Sequence, residues 1–294
     1  MPHGIARVFR RAAMATAAAL LAACSVTADE PETSRFPTSS AFPAGTMERF
    51  TFAAGVPEQW RLSALRTPDR AAAPWRIVVI TGTPSWSEYW APTIARIGAD
   101  REMIVVDRPG FAQSEPSTAV TDLETQAQAL SPLLAGDPAQ RVLVVGQSYG
   151  APIASLMARA YPERVQALVL ASSYFGERGP TARRLFGVGA LVKPLLQRDL
   201  RNSITEVQRQ GPQLPAAFAA LSTLTIPKVF LHGDADTFVP VSAAQRWAAD
   251  FGGRFVDVPG GDHFLNACCV DETIAAFERA IADAEAPGAA DHQR

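Results

Sequence analysis

Four short runs of apolar residues constrain this chain more than anything else in it. Ile77-Val78-Val79-Ile80, Met103-Ile104-Val105-Val106, Val142-Leu143-Val144-Val145 and Ala167-Leu168-Val169-Leu170 are continuously hydrophobic and rich in β-branched side chains. They lack the polar alternation of a strand with one wet face, so they suit strands buried on both faces of a parallel sheet. Lys228–Leu231 and Arg254–Val258 read as two more strands. Glu48–Phe52 and Trp60–Arg66 read as an opening antiparallel pair with partial alternation. Helical candidates fall between the strands, at 86–98, 122–135, 149–161, 242–251 and 264–284. Alternation of this kind builds an open α/β sheet with helices on both faces. No internal repeat is present.

Residues 174–224 break the alternation. They hold no convincing strand, several Gly and Pro residues, and helix-like pieces such as Ala182–Leu196. An insertion where sheet strands end is a natural lid over a site, here a small helical cap. It is net basic, with Arg178, Arg183, Arg184, Lys193, Arg198, Arg201 and Arg209 against Glu177, Asp199 and Glu206. Such a surface either attracts anions or is simply solvated. Phe186, Leu191, Leu195, Phe218 and Leu221 are expected to pack the cap, with an acyl pocket as their other use.

Over the whole chain, 27 basic residues face 29 acidic ones, so nothing marks a nucleic-acid partner. Hydrophobic residues at 48% and charged residues at 19% exclude a disordered chain. No metal cluster, phosphate loop or dinucleotide fingerprint occurs, and no cofactor is expected. The three cysteines are too few for a disulfide scaffold. Cys268 and Cys269 are adjacent; two buried thiols at a helix start are expected, with a vicinal disulfide as the alternative.

The first residues read as an export signal. Arg7, Arg10 and Arg11 form a basic region, followed by the apolar run Ala12 to Ala23. That run is shorter than the roughly 20 residues a membrane span needs, and it suits a signal peptide. It ends in Leu21-Ala22-Ala23-Cys24, which resembles the bacterial lipobox, whose cysteine is lipidated and becomes the new N-terminus. A plain secretory signal cleaved nearby is the alternative. Residues 1–23 are thus expected to be removed and Cys24 to be acylated, holding the protein on a membrane surface. Ser25 after the cysteine, by resemblance to bacterial lipoproteins, implies the outer membrane facing the periplasm. Residues 24–45 read as a flexible tether, 46–285 as the folded domain, and 286–294 as a polar tail.

The chemistry sits in Gly146-Gln147-Ser148-Tyr149-Gly150, a G-x-S-x-G string directly after one buried run and opening a helix. A sharp strand-to-helix turn there exposes Ser148 at the carboxyl edge of the sheet. A serine hydroxyl needs a base, and the base an orienting acid. Of four histidines, His3 lies in the signal, His292 in the tail, and His232 ends a buried run, where a structural role is expected. His263, in the loop after Gly260-Gly261-Asp262, is the candidate base. Asp236 is the candidate acid, with Asp234 as its rival and the better turn former. Asp107, Asp257 and Asp262 read as strand-end or turn residues.

With Asp107-Arg108-Pro109-Gly110-Phe111, Tyr161-Pro162-Glu163-Arg164-Val165 and His232-Gly233-Asp234-Ala235-Asp236-Thr237-Phe238-Val239-Pro240, these motifs resemble the α/β-hydrolase family over essentially all of residues 45–285. The order Ser148, Asp236, His263 is the one that family uses. The resemblance implies an oxyanion hole after the first parallel strand. Here that segment reads Thr81-Gly82-Thr83-Pro84-Ser85-Trp86, with Thr81 where the family usually has histidine. It points to the backbone N–H groups of Thr83 and Tyr149. Thr83 to Trp90 is also similar to haloalkane dehalogenases, which carry an aspartate where this chain has Ser148. That departure argues against dehalogenation and epoxide opening and favours acyl transfer to water. The expected activity is a serine hydrolase acting on a small carboxylic ester. A thioester, lactone, amide or activated C–C bond remains open on the same machinery, and a silent binding protein is the rival from another class.

Overall fold

The computed structural model describes residues 36–56 and 59–286. The leader 1–23, Cys24, the first part of the tether and the tail from 287 lie outside the described residues. Eight described strands form one sheet: β1 (Glu48–Ala53), β2 (Arg61–Arg66), β3 (Trp75–Ile80), β4 (Arg101–Asp107), β5 (Arg141–Gln147), β6 (Val165–Ala171), β7 (Lys228–Gly233) and β8 (Arg254–Val258). Their order is β1-β2-β4-β3-β5-β6-β7-β8. β2 runs antiparallel to both β1 and β4, and the remaining pairs are parallel. Every residue of β3 is buried, as its continuous apolar run requires. Edge strand β1 has only exposed and half-buried positions, with partial alternation between them.

Helices α1 (Ala91–Arg96), α2 (Leu123–Leu130) and α3 (Gly150–Ala160) follow β3, β4 and β5. The expected helix at 86–98 begins as a 3₁₀ turn, Ser87–Trp90, because Pro92 fits the first turn of α1 but no helical position further on. Trp90 is fully buried and stacks on Phe277 at 6.4 Å, so it fixes the start of this helix in the core. Asp122 caps α2 by accepting from the Thr125 N–H.

Between β6 and β7 lie α4 (Pro180–Val192), α5 (Arg198–Arg209) and α6 (Leu214–Thr223). These three do not behave alike. On α6, Ala217, Ala220 and Leu221 are wholly buried, and the helix packs against α3 in the main core. Phe218 stacks on Phe251 and tilts against Phe175. By contrast α4 buries only Ala182 and Gly189, and Leu191 and Leu195 stand exposed. The cap proper is therefore α4 and α5.

Two differences from the sequence reading have clear causes. Part of the expected tether is bound to the domain: Ser39–Ala41 forms a 3₁₀ turn, and the Ser39 N–H donates to Glu88 at 2.7 Å. Burial alone would raise the Glu88 pKa, but this amide and Arg49 outweigh it and hold the carboxyl below its usual range. The expected C-terminal helix is also interrupted. After α7 (Val241–Asp250) and β8 come α8 (Leu265–Cys268) and α9 (Val270–Glu285), separated by Cys269 at φ −140° and ψ 55°. That break turns the two cysteine side chains toward one another, and Cys268 and Cys269 form a vicinal disulfide. Cys268 is exposed, so the pair is not the two buried thiols expected. Among the described residues no helix is long and apolar enough to cross a membrane.

Candidate active site

Parallel register brings the reactive segments together. Ile80 lies opposite Gly146 and Gln147 opposite Ala171, so β3, β5 and β6 end side by side at their carboxyl edge. The segment after β3 therefore leaves the sheet beside the turn after β5. A Cβ built on Gly82 would stand 3.0 Å from the Ser148 Cβ, so only glycine lets the two chains run this close.

Ser148 sits at φ +50°, a left-handed conformation that a non-glycine residue adopts at a cost of order 1–3 kcal/mol. The turn is held from both sides. The Ser148 N–H donates to the Ala171 carbonyl at 2.9 Å, and the Ser148 carbonyl accepts from the Tyr174 N–H at 3.1 Å. Gly146 lets β5 meet α3, since a Cβ there would lie 2.6 Å from the Ala151 Cα. Strain at this turn is what points Oγ away from the sheet and into the cleft.

His263, in the loop after β8, faces that oxygen, with Nε2 3.0 Å from Ser148 Oγ. Its Nδ1 is 2.8 Å from Asp236 Oδ2. A carboxylate only accepts, so Nδ1 carries the proton and Nε2 is left to accept from the serine hydroxyl. The ring is held between Phe238, stacked at 4.9 Å, and Phe264, edge-on at 5.5 Å. Asp236 itself is tied down from the other side: Oδ1 accepts from the Phe238 and Val239 N–H groups at 2.7 and 3.0 Å. Burial alone would raise its pKa. The charge that His263 carries when protonated, the hydrogen bonds from His232 and His263, and the Val239 amide outweigh burial and hold the carboxyl well below the usual carboxylate range. Asp234 points elsewhere, accepting from the Gly260 N–H at 2.7 Å, so the turn-forming role expected of it is the one it has.

Two further side chains belong to this arrangement. His232 is fully buried, and its Nε2 lies 3.1 Å from the Val239 carbonyl and 3.2 Å from Asp236 Oδ2. Both neighbours are acceptors, so Nε2–H is shared between them and His232 donates to the carboxylate that also holds His263. Its place at the end of a buried run is legible in the sequence; its contact with Asp236 is not. Gln147, the variable residue of the elbow, accepts the Gly82 N–H at 3.2 Å and so ties the two segments together.

Thr83 and Tyr149, the expected oxyanion donors, flank Ser148, and neither main-chain N–H has an acceptor among the described residues. Thr83, Ser148, Tyr174, Ala182, Phe186, Val207, Phe238, Val239 and His263 line a cleft of about 280 Å³, its open mouth included. Its wall is mostly apolar, as small-molecule sites commonly are. Of the hydrophobic cap residues singled out above, only Phe186 reaches it. No group of three or more His, Cys, Asp or Glu residues that could hold a metal occurs among the described residues.

Comparison with known proteins matches residues 76–206 to the family model described as the alpha/beta hydrolase fold. Among curated proteins, the chain is 24% identical over 201 residues to a 2-hydroxy-6-oxononadienedioate/2-hydroxy-6-oxononatrienedioate hydrolase from Pseudomonas sp, covering 56% of this chain and 71% of that one. It is 33% identical over 97 residues to a pimeloyl-[acyl-carrier protein] methyl ester esterase from Salmonella heidelberg, covering 33% of this chain and 36% of that one. It also matches the PHYLLO protein of Arabidopsis thaliana at 29% over 106 residues, which spans 33% of this chain and only 6% of that long protein. Among solved structures, a thermophilic esterase from Thermogutta terrifontis superposes with a TM-score of 0.63 at 18% identity, over 81% of this chain and 100% of that one. Together with the sheet order, these likenesses show that the chain has the α/β-hydrolase fold.

The depressed Asp236 carboxyl has a measurable consequence for stability. Its folded pKa lies below the unfolded value of about 4, so its contribution is full above that pH and is lost as the pH falls through the folded value. The stability difference between wild type and Asp236→Asn, measured by denaturant unfolding, should therefore shrink as the pH is lowered from about 7 to about 3. A difference independent of pH would contradict the ionised, hydrogen-bonded carboxylate.

Proposed function

We propose that this chain, an α/β-hydrolase in fold, is a serine hydrolase that cleaves carboxylic esters through an acyl-enzyme. The observation that carries the reading is the unbroken hydrogen-bonded path from Asp236 through His263 to Ser148 Oγ, ending in a small apolar cleft. Ser148 Oγ attacks the ester carbonyl carbon and passes its proton to His263 Nε2. The carbonyl oxygen becomes an oxyanion held by the N–H groups of Thr83 and Tyr149. Collapse of the tetrahedral adduct expels the alcohol, which takes the proton from His263. Water then repeats the sequence on the acyl-enzyme, with His263 again as base, and the carboxylic acid leaves. Asp236 keeps the imidazole in the productive tautomer and stabilises it when charged. The apolar wall formed by Ala182, Phe186, Val207 and Val239 favours an uncharged acyl group of modest size.

Each residue in this scheme has its own expected effect. Ser148→Ala and His263→Ala should each lower kcat by roughly 10⁶-fold on a chromogenic ester, and the double variant should be hardly worse, because the residues act as one unit. Asp236→Asn should cost roughly 10⁴-fold. Asp234→Asn should stay near wild type. The assignment fails if the folded Asp234→Asn protein is more impaired than Asp236→Asn.

The reading extends to the N-terminus. Leu21-Ala22-Ala23-Cys24 supports export, cleavage before Cys24 and lipidation of that cysteine, with the domain held at the bacterial outer membrane facing the periplasm. Several acyl chains, at about 0.8 kcal/mol per buried methylene, anchor stably where one chain is marginal. Wild type should take up labelled fatty acid and fractionate with membranes, and Cys24→Ser should lose the label. Unlabelled, soluble wild type with another N-terminus would remove the anchor and leave the hydrolase reading untouched.

A further inference from the structure

The cap carries a charge in an unusual place. Glu206, on α5, is fully buried, and so is its partner Arg108, which follows β4. Arg108 Nη1 and Nη2 lie 2.7 and 3.0 Å from the two Glu206 carboxyl oxygens, the fork-on-fork geometry that fixes both groups. Gln126 on α2 completes the cluster, accepting from Arg108 at 2.7 Å and donating to Glu206 at 2.9 Å. One helical turn earlier on α5, Asn202 donates to the Gly110 carbonyl at 2.7 Å. Burying an ion pair is costly, and a hydrophobic pair of similar volume often serves stability as well or better. Stability alone therefore gives little reason for this pair.

What the pair touches supplies one. Arg108 Nε donates to the Thr81 carbonyl at 2.7 Å, and Nη2 donates to the Gly82 carbonyl at 2.8 Å. The Gly82 carbonyl and the Thr83 N–H belong to one peptide unit, and that bond is trans. In a planar trans peptide the C=O and N–H point in opposite directions. A guanidinium fixed on the carbonyl therefore sets the direction of the Thr83 N–H, and its charge polarises the unit so that the N–H becomes a stronger donor. Glu206 takes hold of the same residue from its side chain, since Thr83 Oγ1 donates to Oε2 at 2.7 Å. The guanidinium also lies 5.0 Å from the centre of the Tyr149 ring, the residue that supplies the other amide.

We propose that Arg108 and Glu206 are positioning residues for the oxyanion hole, and that Glu206 makes the cap helix α5 part of the apparatus that aims the Thr83 N–H. The proposal rests on the serine hydrolase reading above. It gives the cap a role besides covering the cleft: the donor that stabilises the transition state is aligned only while α5 is seated.

The test is Glu206→Gln, which keeps the shape of the side chain and removes its charge, in the full chain. With a p-nitrophenyl ester, kcat should fall by at least about tenfold, short of the 10²–10³ that follows outright loss of a donor. KM should stay within about twofold, because a donor aimed at the oxyanion acts in the transition state. The inhibition constant of a trifluoromethyl ketone, which forms a tetrahedral adduct with serine, should weaken in step with kcat/KM. The double variant Arg108→Met, Glu206→Met carries the test if the single variant does not fold. It should regain a wild-type melting temperature, as apolar replacements of buried pairs do, yet keep the losses in kcat and inhibitor affinity. A merely structural pair would return activity together with stability. Wild-type kcat and inhibitor affinity in either folded variant would overturn the proposal. Ester hydrolysis surviving in Ser148→Ala would instead overturn the underlying hydrolase reading, so the two failures are distinct.

Discussion

The alignment of β3 with β5 is the constraint on which the rest of this molecule depends. With Ile80 opposite Gly146, the Thr81–Thr83 segment and the Gly146–Gly150 turn leave the sheet at the same height and within van der Waals reach. A slip of one residue would turn every buried side chain of β3 to the other face, so the apolar runs that build the core also fix this juxtaposition. Packing energy is thereby converted into local geometry. The strained φ of Ser148 persists because Ala171 and Tyr174 hold its backbone from the neighbouring strand end.

Electrostatics then divides the carboxyl edge into two buried centres with opposite surroundings. Asp236 is surrounded by donors: two main-chain N–H groups and two imidazoles. Glu206 is matched by a guanidinium, an amide and a hydroxyl. The first centre sets the tautomer of His263, and the second holds the Gly82 carbonyl and the Thr83 hydroxyl. Tyr149, wedged beside the second, has its phenol pKa raised well above normal, first by burial and then by the Glu206 charge, so its ring serves as packing. The segments on either side of Ser148 are thus fixed by charges that solvent does not reach.

Much of this was legible in the chain, for physical reasons that differ by element. The buried strands announce themselves because a sheet covered on both faces has no polar positions to hide them. The elbow is readable because glycines must flank a turn where strand and helix cross so closely. His263 emerges from elimination among four histidines, and Asp236 from its place after a strand. Contacts between distant segments left no such mark. Glu206 meets Arg108 across 98 positions, and its acid looked like one charge among many on a basic cap. The burial of α6 against α3, the binding of Ser39 to Glu88 and the helix break at Cys269 likewise depend on tertiary packing rather than local pattern.

The central claim is that Ser148 is a nucleophile activated by His263. The most direct measurement is reaction with a fluorophosphonate followed by intact mass and peptide mapping. A single phosphonyl group on the Val142–Arg159 tryptic peptide, located at Ser148, absent from Ser148→Ala and strongly slowed in His263→Ala, is the expected result. Ester turnover with Ser148 unmodified, or labelling that is unchanged in His263→Ala, would contradict the account.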